Sequence, residues 1–158
     1  METAKNELYL KTAFACMACD GDIATEEITL IRELTEKSDL FLNIDVESKL
    51  NDYVTQINKQ GWEFLSNYLS DVANLELSEN EEMEIIKIAI QTIEADRKIE
   101  YSEISFFKKI RQRLNLSDET ILFVFPEKED YLLPDIRIPE NLNWNVRFEN
   151  IHWNKNNN

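Results

Sequence analysis

Apolar residues recur at every third or fourth position through most of the first 125 residues, and this spacing is typical of amphipathic helices. Few glycines and prolines interrupt the pattern, which argues against a fold rich in strands and tight turns. We therefore predict an all-α bundle of six or seven helices. The predicted helical segments are Lys5–Cys19, Thr25–Lys37, a helix after Asp45, one after Gly61, one after Ser78, Tyr101–Leu114 and a short one through Val124.

Local polar signals mark where several of these helices begin. Asp45 and Ser117 are good N-cap residues because their side-chain oxygens accept a backbone N–H of the first turn. Ser78 and Glu81 fit the reciprocal capping box. Gly61 is expected to break the chain between two helices. The helix opened by Ser78 is apolar over much of its circumference, so we place it near the centre of the bundle.

Two acidic turns repeat within the helical part. Residues 20–27 and 96–103 each hold an aspartate, an isoleucine three positions later and a glutamate seven positions later, at a constant offset of 76 residues. The apolar positions that follow obey the same offset. Each copy is expected to be an apolar helix, an acidic turn and an amphipathic helix, so we predict an internal duplication. In the first turn, Gly21 is suited to a left-handed backbone conformation.

The C-terminal part has a different character. All three prolines, Pro126, Pro134 and Pro139, lie beyond the last predicted helix. Residues 136–138 and 144–148 alternate apolar and polar side chains, as short strands do. We therefore divide the chain into a helical domain, residues 1–125, and an extended tail, residues 126–158. The tail is expected to form a small hairpin or to dock its aromatic side chains on the helices.

The composition disfavours several classes of binding partner. The formal net charge is −14, which disfavours nucleic acid and direct adhesion to anionic lipid, because both require lysine and arginine. No apolar run reaches the ~18 residues of a membrane-spanning helix, so no direct membrane insertion is expected. With no secretory signal pattern at the start and no disulfide framework, a cytoplasmic location is expected. The thiols of Cys16 and Cys19, three positions apart, are expected to be buried in the core.

The acidic turns are the candidate site. If the two halves pack with approximate two-fold symmetry, both turns lie at one end of the bundle and their carboxylates approach each other. Such a cluster suits a hard divalent cation, namely calcium, magnesium or manganese. The predicted metal ligands are Asp20, Asp22, Glu27, Asp96, Glu100 and Glu103. The alternative is structural, with Glu27 and Glu103 interacting with helix dipoles in first turns.

The first motif, Asp20-Gly21-Asp22-Ile23 with Glu27, resembles the tellurite-resistance TerB domain family. The second copy keeps Asp96, Ile99 and Glu103 but has Arg97 where the family has glycine. The resemblance covers roughly residues 5–125. It implies a duplicated helical fold, a cytoplasmic non-enzymatic role in stress response or signalling, and metal chelation by acidic positions. Carried over by position, these are Asp20, Glu27, Asp96 and Glu103.

Catalysis is not expected from this sequence. The single histidine, His152, lies in the tail, so a catalytic triad has no plausible base. A structural zinc site would need four ligands, and Cys16 and Cys19 supply only two. No glycine-rich phosphate loop is present.

We expect a protein partner of basic or membrane-associated character. The second hypothesis is an acidic interaction module, either an adaptor or an immunity-type protein, that binds without a metal. A carboxylate hydrolase is a third, weaker hypothesis.

Overall fold

The structure, a computed structural model, describes residues 2–19, 21, 25–37, 41, 44–95 and 101–132. These residues form helices joined by short connections, so the predicted all-α class is confirmed. Eight helices lie in the described ranges: α1 (Glu2–Ala18), α2 (Thr25–Lys37), α3 (Val46–Gln60), α4 (Trp62–Asn74), α5 (Glu79–Ile93), α6 (Tyr101–Gln112), α7 (Asp118–Val124) and α8 (Glu129–Leu132).

The predicted helix starts are confirmed at four places. The Asp45 side chain accepts a hydrogen bond from the backbone N–H of Ser48. Ser78 and Glu81 form both hydrogen bonds of the capping box at the start of α5. Gly61, with a positive φ of 61°, separates α3 from α4. Ser117 caps α7 through the backbone N–H of Thr120.

The helix boundaries repeat at the offset found in the sequence. Adding 76 to the bounds of α1 and α2 reproduces the bounds of α5 and α6 to within one residue. The two pairs therefore have helices of similar length, 17 and 13 residues against 15 and 12, and connections of similar length. The short helix α8 was not predicted and lies beyond Phe125, where the position of the three prolines indicated that the helical part ends. The expected hairpin falls in residues 133–158, outside the described residues.

The core is centred on α1 and α5. Every residue of α1 from Ala13 to Ala18 is fully buried, and α5 buries apolar side chains on most of its surface. Helices α3, α4 and α6 pack around this pair, and α8 packs on α6. Aromatic rings of α1, α3 and α4 meet in the core, where Phe14 lies 5.5 Å from Tyr53 and 5.6 Å from Phe64 between ring centroids. Cys16 and Cys19 are buried thiols that are not joined by a disulfide, as expected.

Contacts at both ends show how the central pair is oriented. Near the starts of α1 and α5, Lys5 Nζ donates to Glu81 Oε2 at 2.8 Å, and these two residues are 76 positions apart. Just beyond the end of α1, Cys19 Sγ lies 4.0 Å from the carbonyl oxygen of Ser102, at the beginning of α6. Since α6 follows α5 by a short connection and packs on it, both contacts require α1 and α5 to run in the same direction.

Candidate functional site

The six predicted ligands are unequally described. Asp20, Asp22, Asp96 and Glu100 lie outside the described residues. Glu27 belongs to the first turn of α2, but its side chain is outside the description. Glu103 lies in the first turn of α6 and is buried, with 2% of its surface exposed. The structure thus places the helices that carry or border the acidic turns, and one of the six side chains.

The residues that border the two acidic turns lie close together. Cys19, which directly precedes Asp20, is the residue that approaches the Ser102 carbonyl. Gly21 has a φ of 90°, and its N–H donates to the carbonyl oxygen of Ala18 at 2.9 Å. The chain therefore turns sharply at the end of α1, as the glycine predicts. The described flanks of both turns are at the same end of the bundle.

Glu103 is an unusual residue for a helix core. Its carboxylate is buried in the first turn of α6, where the helix dipole favours a negative charge. Its charge contributes to raising the pKa of the Tyr131 phenol, after the larger effects of burial and of the hydrogen bond to Glu94. Glu103 is therefore near α8 as well as near the start of its own helix. Removing an ionised carboxylate from water is costly unless donors or cations compensate it.

A second carboxylate at this end has partners of its own. Glu94, which follows α5, forms an ion pair with Lys128 and accepts a hydrogen bond from the Tyr131 hydroxyl at 2.9 Å. The Lys128 ammonium also lies 5.4 Å from the Tyr131 ring centroid. This cluster fastens α8 to the end of α5. No local pattern predicts this cluster, because Glu94 lies more than 30 positions before Lys128 and Tyr131 in the chain.

Lys109 brings a buried positive charge close to the same place. It lies in α6, 6% exposed, with its ammonium 3.5 Å from Ser105 Oγ. Together with Cys19, Trp62, Ser102 and Phe106 it lines a small cavity beside the flanks of the acidic turns. A buried ammonium requires compensation by negative charge or hydrogen bonds. The sequence did carry a signal here, because Lys109 stands three positions after Phe106 on the apolar stripe of α6.

Among the described residues, no group of three or more histidine, cysteine, aspartate or glutamate side chains is placed to hold a metal ion. Within the same part of the chain, no helix is both long enough and apolar enough to cross a membrane. Comparisons of the chain with protein-family models, with curated proteins and with solved structures give no match. The TerB resemblance therefore stays a prediction from the two motifs.

Proposed function

We propose that this chain is a non-enzymatic, TerB-like helical domain that binds a divalent cation at its paired acidic turns. The observation that carries the proposal is the 4.0 Å approach of Cys19 to Ser102, which brings the flanks of the two turns to one end of the bundle. The Lys5–Glu81 contact supports the same arrangement, because it places the starts of α1 and α5 together at the opposite end. A cytoplasmic protein of stress response or signalling, with calcium, magnesium or manganese as its ion, is the role that we infer.

Charge supplies the second part of the argument. The two turns carry Asp20, Asp22, Glu27, Asp96, Glu100 and Glu103 within two stretches of eight residues. Carboxylates brought together repel each other unless they are protonated or neutralised. A hard divalent cation takes several oxygen ligands and relieves this repulsion.

The test is thermal unfolding with and without each ion. An ion present at ~100 times its dissociation constant stabilises the folded state by about 2.7 kcal/mol. For a chain of this size, that corresponds to a rise of roughly 5–10 °C in Tm. Glu27→Gln and Glu103→Gln should each abolish most of the rise. Glu79→Gln, at an exposed position in the first turn of α5, is the matched control and should retain it.

The proposal fails if calcium, magnesium and manganese all leave Tm unchanged at millimolar concentrations. It also fails if the control variant loses the rise as fully as the turn variants do. Because Glu103 is buried, Glu103→Gln could lower Tm without any ion present. For this reason the quantity compared is the ion-induced rise within each variant, and Glu27→Gln provides the second, independent test.

Lys109 and Lys128 favour a second function, that of an acidic interaction module without a metal. Both lysines place positive charge at the end of the bundle where the acidic turns begin, and Lys128 neutralises Glu94 there. Lysine ammonium groups would then neutralise the carboxylates in place of a metal ion. The partner would be a protein of basic or membrane-associated character, attracted by the net charge of −14. Its complex should weaken steeply with added salt and persist in a chelator. A complex that the chelator dissociates would instead support the metal-binding proposal.

A further inference from the structure

A cleft of about 400 Å³ opens on the side of the bundle between α1, α3 and α4. Its volume falls in the range of pockets that bind small molecules. Ionic and phenolic side chains line it, notably Glu7, Lys11, Lys49, Tyr53 and Asp71. The residues of α1 that line the cleft lie between Ala4 and Lys11, whereas the acidic turns follow the ends of α1 and α5. The cleft is therefore separate from the proposed cation site.

The inner charge of the cleft is positive. The Lys11 side chain is only 19% exposed, and its ammonium lies 4.9 Å from the Phe64 ring centroid and 5.8 Å from that of Tyr53. Its distance to Asp71 Oδ2 is 3.6 Å, which is longer than the ~2.7–2.9 Å of a charge-assisted hydrogen bond. Because an ammonium has three donors, Lys11 retains N–H groups for an acceptor that enters the cleft.

The second inner donor is the hydroxyl of Tyr53. The residue is 6% exposed, and its hydroxyl has no hydrogen-bond partner among the described residues. Burial, followed by the charges of Glu7, Asp52 and Asp71, raises the pKa of this phenol, so it stays protonated. Two of these three carboxylates line the cleft, which places the hydroxyl on that side. A buried phenol normally finds a partner, and a bound acceptor would provide one.

The outer charges are negative as well as positive. Asp71 is 58% exposed, and Glu7 is 38% exposed and lies 3.1 Å from Lys49 Nζ. These rim carboxylates would repel a simple anion that approached the inner donors. A ligand that carries an ammonium beside its carboxylate satisfies both sets of groups. We propose that the cleft binds an amino-acid zwitterion, either a free amino acid or a dipeptide, with its carboxylate on Lys11 and Tyr53 and its ammonium toward Glu7 and Asp71.

The experiment is a thermal-shift screen of the purified chain with the standard free amino acids and a set of dipeptides, followed by calorimetric titration. The two arms of the screen distinguish the two sources of the zwitterion. Where phenylalanine is the probe, hydrocinnamate lacks its ammonium and phenethylamine lacks its carboxylate. The zwitterion should raise Tm, and both matched compounds should fail to do so. The same comparison applies to any other amino acid that binds.

Two variants test the assigned contacts. Tyr53→Phe removes one oxygen and keeps the ring that packs on Phe14 and Phe64, and it should weaken binding about tenfold, as expected for a lost hydrogen bond to a charged group. Lys11→Met should abolish binding. Lys87→Met, at an exposed position of α5 outside the cleft, is the control and should bind as the wild type does.

Three results would overturn the proposal. No amino acid or dipeptide binds at millimolar concentration, or hydrocinnamate binds as tightly as phenylalanine, or Tyr53→Phe binds as tightly as the Lys87→Met control. None of these results depends on divalent ions, so the screen is run in a chelator. Its failure is therefore distinguishable from failure of the cation site.

Discussion

Replacing Glu82 by alanine should destabilise the fold more than any other single change of a charged residue in α5. Glu82 is 5% exposed, and its carboxylate serves the connection between α6 and α7. Oε1 accepts the backbone N–H of Asn115 at 2.8 Å and that of Leu116 at 3.0 Å. Oε2 lies 3.4 Å from the Asn115 side-chain amide. One side chain thus holds a loop that is 33 residues away in sequence.

The magnitude follows from the groups that lose their acceptor. Hydrogen bonds to a charged acceptor contribute about 1.5–3 kcal/mol each, and a buried donor left without a partner costs about 1–3 kcal/mol. Since the loop can relax toward water, we expect Glu82→Ala to lower the free energy of unfolding by about 3 kcal/mol. Glu82→Gln keeps a carbonyl oxygen for the two backbone donors and should lower the free energy of unfolding by about 1 kcal/mol.

Urea unfolding followed by circular dichroism measures this difference through the midpoint and the slope. Glu79→Ala is the matched control, because Glu79 occupies the same first turn of α5 and is exposed. It reports the loss of a negative charge near the helix dipole, about 0.3–1 kcal/mol, without the loop contacts. If Glu82→Ala lowers the free energy of unfolding no more than Glu79→Ala does, the contacts of Glu82 with residues 115 and 116 do not hold the loop.

Two further predictions concern buried hydroxyls. Thr12 Oγ1 lies 2.6 Å from the hydroxyl of Tyr68, and both residues are fully buried. Thr12→Val should therefore lower the free energy of unfolding, measured in urea, by about 1–3 kcal/mol. The double variant with Tyr68→Phe should lower it by less than the sum of the two single changes. Burial, and then two carboxylates of α5, raise the pKa of Tyr9 from 10.0 to about 12. The stability linked to Tyr9 is therefore complete below pH 10.0 and is lost as the pH rises toward about 12. Tyr9→Phe should flatten the plot of unfolding free energy against pH in this range. An unchanged plot would contradict the assignment.

Local sequence signals predicted local structure well. The bounds of α2 were predicted as Thr25–Lys37, and the caps at Asp45, Ser78 and Ser117 are where their side-chain oxygens indicated. In each case, the structure depends on residues within one helical turn of each other. The offset of 76 residues predicted the similar bounds of the two helix pairs for a similar reason, since each copy repeats the same local pattern.

Contacts between distant segments were not predictable in this way. The pairing of Glu94 with Lys128 and Tyr131 could not be predicted, because no periodicity in the sequence connects α5 with the four-residue α8. The cleft also depends on how three helices diverge, and its lysines look like ordinary surface charges in the sequence. For the candidate cation site, the sequence supplied the ligand set, and the structure adds the proximity of the flanking residues Cys19 and Ser102.

The most direct test of the paired acidic turns is an anomalous difference map from crystals of this chain grown with manganese. We predict one strong peak at the end of the bundle where Cys19 meets Ser102, with carboxylate oxygens of both turns around it at the short distances of direct coordination. A map with no peak there, or with Asp20 and Asp96 each bound to a lysine or arginine, would contradict a shared cation. The acidic interaction module would then be the better account of this protein.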